Sequence, residues 1–115
     1  MTERKATAVL LDLVDVGFEI LMKPHRSGCA DRLIALSDEI ERMIDAKPSH
    51  ARFLRRGARD LVSALGHLCF YRDCQDSVLV PLWEAICGSL CATVRHEARE
   101  ALTFESEVLR ERPTR

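Results

Sequence analysis

With 115 residues and a mass of 13.0 kDa, the chain has room for one small domain. Its 47% hydrophobic content excludes a disordered chain, and 5 Gly with 4 Pro exclude collagen-like and low-complexity architectures. The formal net charge of −1, from 17 basic and 18 acidic residues, provides no whole-protein field toward nucleic acid or anionic lipid.

The opening Met-Thr-Glu-Arg-Lys, turning apolar at Ala8, imitates a secretory leader. Asp12, Asp15 and Glu19 interrupt the apolar run, and a carboxylate at the centre of a bilayer costs roughly 2.5–3.5 kcal/mol. No stretch reaches the roughly 18 uninterrupted apolar residues of a spanning helix. The expectation is a cytoplasmic protein with no membrane association. Five cysteines, an odd number, point the same way, to reduced thiols. Of the 17 basic residues 14 are Arg, a bias that fits a GC-rich bacterial genome.

Strand signals are nearly absent, the β-like patch Val78-Leu79-Val80 ending at Pro81. Helical spacing recurs between breakers instead, which predicts an all-α, four-helix bundle in a single domain, 1–115. Helix one is expected over about 7–22. Its charges Lys5, Asp12, Asp15, Glu19 and Lys23 fall in a polar arc of roughly 80°, and the rest of its circumference is apolar or small. A surface helix needs an apolar stripe of only about 100°. Helix one must therefore be central or covered by a second chain, and the excess predicts self-association.

Pro24, Ser27 and Gly28 precede helix two, about 29–46, which carries Leu33, Leu36, Ile40, Met43 and Ile44 on one face. Pro48 and a capping Ser49 precede helix three, about 50–73. Leu54, Ala58, Leu61, Leu65 and Leu68 give it the 4-3-4-3 seam of a left-handed helix pair. Its other face begins with Arg52, Arg55, Arg56 and Arg59 and ends with His67, Phe70, Tyr71 and Cys74, a late half expected to be covered on both sides. Pro81 is placed at the first position of helix four, about 81–110. That helix is long enough for its last third to overhang the body, with a frayed tail from Glu111 to Arg115. Its core face reads Trp83, Ile86, Cys87, Leu90, Cys91, Val94, Ala98, Ala101 and Val108.

The chemistry-bearing residues assemble no catalytic constellation. Cys87 and Cys91, at i and i+4, can hold a soft metal ion, but they lie in the apolar stripe where cysteine packs as a small hydrophobe. His67, Tyr71 and Cys74 share a face without an orienting third group or an oxyanion site. His25, His50 and His96 are isolated, and Glu105 and Glu107 are placed on the solvent face. The arginine run makes residues 48–73 net +3 and the remainder −4, and positive charge opposes the dipole at a helix start. Phosphate, nucleic acid, an acidic partner or the Asp12, Asp15, Glu19 stripe can offset it. Nucleic acid is disfavoured because no aromatic residues interleave with the early arginines.

The expectation is a non-enzymatic interaction or regulatory protein of adaptor, chaperone or inhibitor type. It takes no cofactor or metal and forms a homodimer. The partner-binding residues are Arg52, Arg55, Arg56, Arg59, His67, Phe70 and Tyr71, together with the overhanging end of helix four. The alternatives are a metal- or thiol-binding bundle using Cys87 and Cys91, and a nucleic-acid-binding regulator using the arginine face.

Overall fold

The computed structural model describes residues 5–22, 28–46 and 53–111, the side chains of 108–111 apart. Four helical segments and no strands are found among them: α1 (Ala6–Met22), α2 (Cys29–Ala46), α3 (Arg59–Asp73) and α4 (Leu79–Glu111). A π-helical turn, Leu54–Ala58, leads into α3. The expected breakers Lys23, Pro24, Ser27, Pro48 and Ser49, the isolated His25 and His50, Arg52, the side chain of Val108 and the tail beyond Glu111 lie outside the described residues.

Helix α1 is the central element, packed against α2, α3, α4 and the π turn. Ala6, Val9, Leu10, Leu13, Val14, Val16, Gly17 and Ile20 are all buried on it. The expectation that its apolar girth exceeds what one four-helix body can hide is corrected here. Three neighbours on different sides cover most of the circumference within a single chain. The exposed stripe also differs from the polar arc read in the sequence. It runs through Ala8, Leu11, Asp15, Phe18 and Met22, while Asp12 and Glu19 are half-buried at its edge. Arg95 of α4 lies over the Phe18 ring, 5.1 Å from its centroid, and gives that aromatic face a cationic cover.

Both ends of α1 are finished by other helices. At its start Thr7 donates to Glu105 through its hydroxyl (3.1 Å to Oε2) and its backbone N–H (3.4 Å to Oε1). A carboxylate there satisfies an orphan donor and complements the positive end of the helix dipole. At its finish the Arg72 guanidinium donates to the carbonyls of Ile20 and Leu21, and it also meets Glu84 Oε2 at 3.2 Å. Two corrections follow. Glu105 is a cap rather than a solvent-facing carboxylate. The last third of α4 does not overhang as far as Glu105: Ala98 and Ala101 are buried, and Phe53 and Phe104 pack with ring centroids 5.7 Å apart.

Helix α2 buries Leu33, Leu36, Ile40, Met43 and Ile44, the face its spacing predicts. The seam Leu54, Ala58, Leu61, Leu65 and Leu68 is wholly buried. Helix α3 ends in a Schellman motif. Gln75 is left-handed at φ 56°, the Asp76 N–H donates to the Tyr71 carbonyl (3.1 Å), and the Gln75 N–H donates to that of Arg72 (3.0 Å). Asp76 then caps α4, its Oδ1 accepting from the N–H groups of Val78 (3.0 Å) and Leu79 (2.8 Å). Leu79 and Val80 are therefore helical rather than β-like. Pro81 stands at the third position of the helix instead of the first, still within the opening turn that tolerates proline.

Candidate functional site

The arginine run is divided among different jobs. Arg59 forms a two-pronged pair with Glu41 of α2, Nε to Oε1 and Nη2 to Oε2, both at 2.8 Å. That bond holds the Glu41 carboxyl below the usual carboxylate range and raises Arg59. The pair is exposed and salt-screened, so its role is pairing α2 with α3 rather than adding much stability. The acidic offset thus comes from α2, not from the α1 stripe, whose Glu19 instead bonds Arg32 at 2.6 Å. Arg55 is exposed, Arg56 borders a cleft, and Arg52 lies outside the described residues.

The late face of α3 is not covered on both sides, contrary to expectation. Phe70 is 60% exposed, His67 is exposed and Tyr71 is half-buried. Trp83 of α4 joins them. Its ring centroid lies 4.6 Å from that of His67 and 6.3 Å from that of Tyr71, and Phe70 meets Tyr71 edge-on at 5.4 Å. Val78 (75% exposed) and Leu82 (51% exposed) extend this apolar surface. Beside it runs a shallow groove of about 440 Å³ between α3 and α4, floored by Ala64, Ile86 and Leu90.

Cys87 and Cys91 are buried, and burial pushes the Cys87 thiol up to about 12 and raises that of Cys91. Such thiols stay protonated at neutral pH, whereas a soft metal ion requires thiolates. Among the described residues no three His, Cys, Asp or Glu side chains come together to hold a metal ion. Cys91 has a steric role: an alanine Cβ at Gly17 would stand 2.7 Å from its sulfur, so the missing side chain lets α1 approach α4.

The feature that sequence reasoning missed is a buried carboxylate. Glu97 of α4 is 6% exposed and accepts the Gly57 N–H at 3.0 Å through Oε1. Gly57 belongs to the π turn, where Arg56 leaves helical geometry (φ −82°, ψ −107°) and frees that N–H from the helical ladder. A Cβ on Gly57 would fall 2.5 Å from Glu97 Oε1, so glycine makes the contact possible. The second oxygen, Oε2, is buried with no hydrogen-bond partner. Burial raises the Glu97 carboxyl above its ordinary range, and nearby Glu100 and Asp60 add to the rise. The Gly57 N–H and the Arg56 charge act against it. Glu97 lines a cleft of about 420 Å³ with Phe53, Arg56, Glu100, Thr103, Phe104 and Glu107. The sequence signal for it was Gly57 itself, a glycine inside a helical run that costs about 1 kcal/mol unless something must come close.

No helix among the described residues is long and apolar enough to cross a membrane. No protein-family model, curated protein or solved structure matches the chain.

Proposed function

We propose that this chain is a non-catalytic protein-interaction module of adaptor, chaperone or inhibitor type, acting as a homodimer paired through the outer face of α3 and the start of α4. The observation that carries the reading is the ring patch of His67, Phe70, Tyr71 and Trp83, continued by Val78 and Leu82. Aromatic residues dominate the cores of protein interfaces, and a contiguous apolar patch is a liability in a lone molecule. A second copy suits it because the patch holds both halves of a self-complementary contact. Phe70 and Leu82 project, the Ala64, Ile86, Leu90 groove recedes, and Gly66 leaves open space one turn from Phe70. A two-fold axis across this face would set the projecting ring of each copy into the groove of the other.

Five free cysteines, three of them buried, fit a reducing cytoplasmic setting, and the arginine-rich composition fits a bacterial source. The test is light scattering across a concentration series. The expected particle mass is twice 13.0 kDa, falling to 13.0 kDa in Phe70→Glu. A wild-type protein that stays monomeric at about 100 µM, where a micromolar pair would be nearly all dimer, refutes the pairing.

A further inference from the structure

The cleft beside the π turn has a demand that the described chain does not meet. Glu97 Oε2 is buried and unbonded, and protonation does not cure this, since an O–H there would be a donor without an acceptor. Folding a carboxyl into that position makes sense if something outside the described chain supplies the partner.

The walls say what kind of partner. Glu97, Glu100 and Glu107 face one guanidinium, Arg56, so the cleft favours positive charge. The carboxylates do not converge. Glu100 and Glu107 stand about 4.5 and about 15 Å along α4 from Glu97, on one flank of the helix. A compact ion meets one of them at a time, in keeping with the lack of a three-ligand cluster among the described residues. An elongated cation with charges several ångströms apart meets two or three. Between Glu100 and Glu107 lie Thr103 and Phe104, with the Phe104 ring against Phe53, an apolar stretch suited to methylene groups.

We propose that this cleft binds a short linear polyamine, one ammonium group donating to Glu97 and the alkyl chain running along α4 past Phe104 to Glu107. Oε2 reaches the cleft by rotation of the carboxylate about its last torsion, which is broad and soft in glutamate. Glu100 is shared with His96, 3.1 Å away, and acts as a flanking charge. The groups facing Glu97 are Arg56 and Asp60 from the π turn and α3, and Glu100 from its own helix. Because burial holds its proton, taking up the cation releases that proton, and binding tightens as pH rises.

The experiment is calorimetric titration of the whole chain at low salt with spermidine, 1-aminobutane and Mg²⁺, alongside the amide spectrum. Spermidine is expected to bind one to one, about tenfold or more tighter than 1-aminobutane, and Glu97→Gln to weaken it by about tenfold or more. The Gly57 amide resonance is expected to move along the same saturation curve. Equal binding by Mg²⁺, or an unchanged spermidine affinity in a folded Glu97→Gln, overturns the proposal in favour of loose attraction to acidic side chains. If Glu97→Gln does not fold, the wild-type spectrum decides: a Gly57 amide unmoved at saturation refutes the site.

Discussion

Helix α4 is approached closely at two glycines, and the two contacts use the same device for different ends. At Gly17 the missing side chain makes room for the Cys91 sulfur, with Leu61 and Leu65 behind it, a dry contact among apolar groups. At Gly57 it makes room for the Glu97 carboxylate, and the backbone N–H is turned out of the helical ladder to bond it. The first contact is complete within the chain. The second leaves a buried oxygen unbonded. A glycine inside a helix thus marks a close approach, and the group it admits decides whether the result is core or site.

The largest effects should come from closing either gap. Gly57→Ala places a methyl against Oε1 and within 3.2 Å of Thr93 and Val94, and it breaks the hydrogen bond to Glu97. Overpacking and a stranded polar group together should cost about 2–4 kcal/mol in urea unfolding. Gly17→Ala should cost about 1–3 kcal/mol by overpacking alone. Its partner distinguishes the two contacts. Adding Cys91→Ala to Gly17→Ala removes the sulfur in the way, so the double variant should lose less than the sum of the singles. Additive losses would mean that the sulfur is not what Gly17 accommodates.

Next in size is a pH effect confined to the polar contact. The folded carboxyl of Glu97 lies above its ordinary range, so the native state holds this proton more tightly than the unfolded state does. Stability from this group is present at acid pH and declines as pH rises from the ordinary glutamate range through the raised value. Glu97→Gln should flatten that part of the stability profile, measured by unfolding at a series of pH values. An identical slope in the variant would show that another group carries the titration.

A kinetic difference separates the sulfurs. With its thiol near 12, Cys87 is thiolate in only about one molecule in ten thousand at pH 8, and Cys91 is buried beside it. Iodoacetamide followed by peptide mass spectrometry should label the exposed Cys74 in the folded protein and reach Cys87 and Cys91 only after unfolding. Early labelling of Cys91 would mean that the α1–α4 contact opens readily and is not the complete core described above.

Spacing carried much of this architecture. The 4-3-4-3 repeat from Leu54 to Leu68 and the α2 face from Leu33 to Ile44 are legible because burial of one face follows the helical period. Interactions between elements distant in sequence were not legible. Nothing local to Glu105 says that it caps α1, nothing in Arg72 says that it finishes α1, and Glu41 does not announce Arg59. Helix α1 looked too apolar for a monomer because a wheel shows how much surface must be covered, not how many neighbours cover it. His67, Phe70 and Tyr71 were legible as a group, and Trp83 completes them from another helix. Glu97 was hidden because its i±3 and i±4 neighbours Val94 and Ala101 made it look like the polar edge of a core stripe. What buries it is the π turn, a backbone irregularity that the periodicity of Leu54 and Ala58 does not reveal.

The smallest expected effects belong to two glycines that admit nothing. Gly66 and Gly88 are exposed, helical and open, with no atom within 4 Å of where a Cβ would stand. By propensity alone each replacement with alanine should stabilise the monomer by about 0.5–1 kcal/mol. The two differ in position. Gly66 lies one turn from Phe70 on the outer face of α3, whereas Gly88 sits roughly 120° around α4 from Leu82, away from the ring patch. If the patch pairs two copies, Gly88→Ala should raise stability and leave the dimer intact, while Gly66→Ala should raise the stability of the monomer and weaken association in the light-scattering series. A methyl on the outer face of α3 would then cost in the pair what it contributes in the single chain. Equal dimerisation in both variants would remove Gly66 from the contact and move the pairing surface toward Val78 and Leu82.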